Sequence, residues 1–264
     1  MLLFLQIMKK SLLFLLIATI GCKPRVFNIP TPSMEATFPV GSKIIVDYSE
    51  VPQTNDIVVF KLPSDNKTNY VFRLIANSGD SLEIDNSEVL INGRKTSPIE
   101  TIQHSYILFA KESLSERYLN DFGIKDYMTS GTMVRFFATD KTYAEIRKSP
   151  LLDSIVRDRS VKGQEADYIY QGFKGQGWNP DFFGPLYIPK AGTKIKLNNT
   201  NRDFYKDILL RFENVDISEM NEYQFKKDYV FVLGDNRHNA LDSRFIGFIP
   251  SENIVGKAEI FNWW

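Results

Sequence analysis

The stretch Gly234–Pro250, GDNRHNALDSRFIGFIP, interleaves turn-forming residues with charged ones and decides how the rest of the chain is read. Glycine, asparagine, aspartate and serine reach positive φ or bond their own backbone. Here they alternate with Asp235, Arg237, Asp242 and Arg244. The flanking runs YVFVL and FIGFIP are rich in β-formers, so the stretch is predicted to be a polar loop between two strands. As a plain solvated turn, its ion pairs would contribute little. So many specified side chains in one turn point instead to a loop that organises a site.

The chain around this loop has 264 residues, 43% of them hydrophobic, enough for a substantial core in one domain with a smaller subdomain. Lysine plus arginine equal aspartate plus glutamate at 32 each, which leaves no electrostatic footprint for nucleic acid. Two histidines and one cysteine argue against a His/Cys zinc site and exclude an intrachain disulfide.

The first residues read as a targeting segment. Lys9 and Lys10 precede the apolar run Ser11–Gly21, which is short for a membrane span but has the length of a signal-peptide core. It leads into Gly21-Cys22, and a small residue followed by cysteine resembles the bacterial lipobox, with Thr19 where leucine is commoner. On that reading Cys22 is lipidated. The other reading is an uncleaved helical anchor from about Leu2, in which Lys9 and Lys10 would be costly. Either way residues 1–22 form a tether, and the remainder is expected outside the cytoplasm, on the periplasmic face.

Beyond Cys22 the pattern is mostly strand. Lys43–Tyr48, Asp56–Lys61 and Asn69–Ala76 are β-branched or aromatic runs bounded by Gly, Pro, Asn and Asp. SLEI and EVLINGRK follow, and Asn92-Gly93 signals a hairpin. From about Pro98 to Phe225 helical patterns appear at Leu114–Phe122, Thr142–Arg159 and Arg202–Phe212, with the loop-rich GFKGQGWNPDFFGPLYIPKAG between the last two. The expected fold is mainly β: an antiparallel core of residues 23–97 and 226–264, with a mixed α/β subdomain inserted over 98–225.

A candidate reactive residue lies early in that core. In Ile29–Phe38, IPTPSMEATF, Ser33 is held between Pro30, Pro32 and Met34. Proline stiffens the backbone and removes competing donors, and a nucleophile benefits from fixed placement. Pro32-Ser33 by itself reads as an ordinary loop.

Taken together, these segments resemble the bacterial type I signal peptidases, membrane-bound serine proteases that remove signal peptides from exported proteins. The resemblance rests on Ser33-Met34, Asn55–Phe60 (NDIVVF), Tyr70–Asp80 (YVFRLIANSGD), Ile91-Asn92-Gly93, the Gly234–Pro250 loop and Gly256-Lys257-Ala258, in the family's order and over about half the chain. It implies that Ser33 is the nucleophile and that Thr31, with the Ser33 N–H, forms the oxyanion hole. Asp235, Asn236, Arg237, Asp242, Ser243 and Arg244 would brace the site, with Arg73 as an ion-pair partner for Asp242. No metal or cofactor is implied.

Two positions depart from the family's pattern where its chemistry resides. Phe72 stands where the family carries its general-base lysine, and Ala240 where a serine usually bonds that lysine. A serine hydroxyl needs a group to take its proton, and phenylalanine has no lone pair. His238, Lys61, Lys43 and Lys67 are the other nitrogens near enough in sequence to consider, and His104 falls in the insertion. Phe72 reads either as a core residue or as a wall of an enlarged apolar groove. Two functions follow: a membrane-anchored endopeptidase acting on exported preproteins, or a homologue that binds exported segments or a partner without cleavage. A self-cleaving repressor on a related fold would need a DNA-binding half, where this chain has a lipidation signal.

Overall fold

The computed structural model describes residues 26–62 and 65–260. The tether with Cys22, and Trp263 and Trp264, lie outside the described residues. The architecture is mainly β with antiparallel pairing, as predicted.

A seven-stranded sheet carries the candidate site, and its order draws both ends of the chain together. From one edge it runs Val26–Asn28, Lys43–Asp47, Ile254–Ile260, Ile57–Leu62, Asp65–Ala76, Tyr229–Leu233 and Ile249–Pro250. The strand Ile254–Ile260 thus lies between two strands from the first quarter of the sequence. Gly256 makes that insertion possible, because a Cβ there would run into Asp47 O and Val46 Cγ1. Buried Ile44, Val46, Val58, Val59, Phe60, Leu74, Val230 and Val232 form the core against which Met34, Phe72 and Ala240 pack.

A second sheet, of four strands, takes the order Phe183–Tyr187, Ser81–Asp85, Glu88–Ile91 and Arg94–Lys95. Its Asn92-Gly93 turn is the predicted hairpin, with φ of 53° and 74°, the left-handed pair of a type I′ turn. Asn86 and Ser87 make a second such turn, with φ of 55° and 70°. Neither residue is a glycine, so the sequence signal there is weaker.

A third sheet, of four strands, runs Leu152–Arg157, Gln103–Ala110, Met133–Thr139 and Tyr127–Ser130, over its own apolar cluster. Here one expectation is corrected. The helix predicted over Thr142–Arg159 is the short helix Asp140–Ile146 followed by the strand Leu152–Arg157. Pro150 divides the two, since it lacks an N–H and biases Ser149 away from helix. The other two helical patterns are helices, at Glu116–Asp121 and Arg202–Glu213. The segment between Arg159 and Lys194, irregular apart from the strand Phe183–Tyr187, is anchored by aromatic rings. Phe173, Trp178 and Phe183 are buried and pack on Phe204, Phe231 and Phe248.

Candidate active site

Two segments far apart in sequence meet at the end of the large sheet. One is the 3-10 turn Pro32–Met34, which Thr31 and Pro32 begin. The other is the loop that leaves the strand Tyr229–Leu233 at Gly234 and ends where Asp242 caps the helix Ser243–Ile246.

Asn236 joins the two. Its N–H donates to Ser33 O at 3.0 Å, and its Nδ2 donates to Pro32 O at 3.1 Å. The buried Met34 Sδ accepts from the Asp235 N–H at 3.3 Å. The loop therefore holds the carbonyls of Pro32 and Ser33 and the side chain of Met34. Gly234 closes the contact, because a Cβ there would collide with Ala240 Cβ, approach Ser33 O to 2.8 Å and reach Phe72 Cε1 at 3.5 Å. Ser33, Phe72 and Ala240 thus converge on one point, as their places in the sequence pattern suggested.

The charged residues divide into two buried pairs, and the division corrects one expectation. Arg73 pairs with Asp235, not with Asp242: Nε reaches Asp235 Oδ1 at 2.7 Å, Nη2 bonds Asp235 Oδ2, and Nη1 donates to Asn55 O at 2.6 Å. The register explains this. Arg73 lies opposite Leu233, so Asp235 is the carboxylate that the strand delivers to it. Asp242 is taken up inside its own loop. It accepts from Gly234 N at 3.0 Å, Arg244 Nε at 2.9 Å and Arg244 Nη2 at 2.7 Å. Arg244, 1% exposed, spends its remaining donors on Pro180 O and Arg237 O. Ser243 Oγ accepts from Val232 N at 3.0 Å and ties the cap to the strand Tyr229–Leu233. Arg237 differs: its Nε donates to Gly234 O at 3.2 Å, and it forms no ion pair among the described residues.

Ser33 is half-buried and lines a groove of about 720 Å³ with Ile29, Tyr70, Phe72, Ala240 and Leu241. Its Oγ accepts from Thr31 Oγ1 at 3.4 Å. Phe72, 5% exposed, packs on Phe60 with ring centroids 6.0 Å apart.

Both histidines have other surroundings. His238 Nδ1 accepts from the Ser105 N–H at 3.3 Å, so Nε2 carries the proton and faces Asp181 Oδ1 at 3.0 Å. Burial pulls the Asp181 pKa up, but hydrogen bonds from His238, Ser87 and the Ser160 N–H outweigh it and hold the carboxyl well below its usual range. His104 is buried, and desolvation with the charges of Arg157 and Arg237 pushes its pKa down to about 2. Of the lysines, Lys61 lies at a separate cavity with Arg211 and Glu252, and Lys43 is exposed on its strand. Among the described residues, no cluster of three or more His, Cys, Asp or Glu side chains is placed to hold a metal ion.

The sequence reading passed over Thr37, Gln103 and Asp181. Thr37 Oγ1 bonds both Asp235 Oδ2 and Thr101 Oγ1, while Gln103 bridges the loop by pairing with Asn236. Each partner is remote in sequence, so no spacing announces it.

Comparison with known proteins places the chain among signal peptidases. The family described as "Signal peptidase, peptidase S26" matches residues 2–145 and 185–264. Among curated proteins named signal peptidase I, that of Aquifex aeolicus is 27% identical over 88% of this chain and 73% of its own length. That of Buchnera aphidicola subsp. Baizongia pistaciae is 25% identical over 94% of this chain and 71% of its own. The Rickettsia conorii protein is 24% identical over 90% and 73% respectively. With both halves of the site inside the matched residues, the chain belongs to the peptidase S26 signal peptidase family.

Proposed function

We propose that this chain holds an extended segment of an exported preprotein in the Ser33 groove without cutting it. It would be tethered at the membrane through residues 1–22, by lipidated Cys22, and face away from the cytoplasm. Residues 23–97 and 226–264 would supply the groove-bearing core, with 98–225 as the insertion.

The surroundings of the Ser33 hydroxyl carry this reading. Its Oγ has Thr31 Oγ1 as hydrogen-bond partner, and Phe72 and Ala240 line the same groove. Serine attacks a carbonyl only when a base takes its proton. Phe72 has no lone pair to offer, and both ring nitrogens of His238 are engaged by Ser105 and Asp181. Replacing lysine and its hydroxyl partner together is also chemically consistent, since a serine at 240 would otherwise be buried without that bond. Ile29, Tyr70, Phe72 and Leu241 give the groove an apolar lining suited to the side chains of an extended segment.

Thr31 supports a second reading, in which the chain cleaves. Its hydroxyl lies beside Ser33, and an oxyanion-hole donor of that kind is worth roughly 3 kcal/mol. One experiment separates the two. The full chain is incubated with a fluorescent preprotein, as wild type, Ser33→Ala and the double change Phe72→Lys with Ala240→Ser. The holding reading expects wild type and Ser33→Ala to bind alike with no product, and the double change to gain slow cleavage. Product from wild type that disappears in Ser33→Ala establishes the peptidase instead.

A further inference from the structure

A second cavity, of about 900 Å³, lies behind the candidate site, between the turn following Ser33, the hairpin region Ser87–Ile102 and the start of the helix Asp140–Ile146. Arg237 lines both this cavity and the Ser33 groove. Ala36, three residues beyond Ser33, lines the second cavity as well. The two spaces therefore share a wall at Arg237.

Two buried side chains that line the cavity have nitrogens without partners. Arg237 is 7% exposed, and its terminal guanidinium nitrogens carry no hydrogen bond or ion pair among the described residues. Its two neighbouring aspartates are already matched, Asp235 to Arg73 and Asp242 to Arg244. His104, also 7% exposed, lines the same cavity and has a buried Nδ1 with no partner. A buried cation without a counter-charge is costly, and a buried polar nitrogen without a bond adds to that cost. Both costs are removed by an anion that reaches them.

We propose that this cavity is a carboxylate-binding subsite, which takes an acidic side chain of the polypeptide whose preceding residues lie in the Ser33 groove. The guanidinium fork of Arg237 matches the two oxygens of a carboxylate. With its proton on Nδ1, the neutral His104 ring offers a donor from that unpaired nitrogen, and Thr101 and Thr139 line the same cavity. The exposed rim carries Glu88, Glu100 and Asp140 against Lys141. That rim opposes a doubly charged phosphate more strongly than a singly charged carboxylate. Asp181, the remaining buried acid of the region, is turned to His238, Ser87 and Ser160. Burial and the nearby Arg244 lower the Arg237 pKa to about 10, which leaves it charged at neutral pH.

The polypeptide part of this proposal rests on the holding function above, so the test has two arms. In the first, the full chain with its Arg and His side chains isotopically labelled is titrated with N-acetyl-aspartate amide and with N-acetyl-asparagine amide at matched ionic strength. The acidic compound is expected to shift the Arg237 and His104 resonances and the amide to leave them. In the second, synthetic apolar peptides carry one aspartate moved stepwise along the residues beyond the groove, each compared with its asparagine counterpart. At one position the aspartate peptide is expected to bind about tenfold tighter. Arg237→Gln should abolish that preference, and Arg237→Lys, which keeps the buried charge but not the fork, should reduce it. Unshifted resonances, or equal affinities for every aspartate and asparagine pair, overturn the subsite. Shifted resonances with no peptide binding at all would instead sink the holding function and leave the cavity a carboxylate site.

Discussion

Gly234 is the residue on which the candidate site closes. Its missing Cβ lets Ala240, Ser33 O and Phe72 meet. Gly234→Ala is therefore expected to force the 234–242 loop away from Ser33, costing about 1–3 kcal/mol in the manner of an overpacked core. Urea unfolding reads the loss, and peptide binding should weaken with it. The two buried ion pairs give a second residue-level prediction. Removing one partner strands a buried charge, so Asp235→Asn should cost about 3–5 kcal/mol. A double-mutant cycle then distinguishes the pairing found here from the one expected at first. Arg73→Met should couple to Asp235→Asn by more than about 1 kcal/mol, and only weakly to Asp242→Asn. That distinction was not legible in the sequence, which put two aspartates and three arginines within reach of one another. The register that sets Arg73 opposite Leu233 decided it.

At the scale of elements, the helix Arg202–Glu213 ends in a buried carboxylate. Glu213 accepts from Tyr223 Oη at 2.7 Å, Tyr229 Oη at 3.0 Å and the Lys226 N–H at 2.9 Å. A negative charge at a helix C-terminus is unfavourable by itself, so these donors are what make it tenable. They also fasten the helix to the strand that leads into Gly234. Burial, with the Glu213 charge and hydrogen bond, raises the pKa of both tyrosines. Glu213→Leu leaves two hydroxyls and an amide unpaired and should cost about 3 kcal/mol in urea unfolding, whereas Glu213→Gln keeps an acceptor and should cost less. Most strands could be read directly from short β-branched runs between Gly, Pro, Asn and Asp. The reading failed where local pattern and tertiary pairing competed. Leu152–Arg157 has residues that fit a helix face, yet Pro150 isolates it and the Gln103–Ala110 strand captures it. Apart from the strand Phe183–Tyr187, the segment 160–193 is irregular and held by aromatic contacts between remote residues.

For the whole molecule, the candidate site was legible in its residues and illegible in its connections. Ser33, Phe72 and Ala240 could be placed together because the motifs around them are local. Asp181, Gln103 and His104 join the site through partners 57 or more residues away, or through burial alone. Two of those residues set how the fold responds to acid. His104 has a folded pKa near 2, against about 6.5 when exposed, and Asp181 is likewise held below its unfolded value. In both cases the native state binds fewer protons than the unfolded chain, so stability rises with pH. The His104 contribution is complete above about pH 6.5 and is lost as pH falls below it, by up to about 1.4 kcal/mol per pH unit. The Asp181 contribution begins to fall only near pH 4. Urea unfolding of the full chain between pH 8 and 3 should thus show a shallow acid limb that steepens near pH 4. His104→Phe should flatten the limb between pH 6.5 and 4.5, and Asp181→Asn should flatten only the steeper part. An unchanged upper limb in His104→Phe would mean that His104 gains its proton in the folded state, and the buried neutral imidazole beside Arg237 would have to be abandoned.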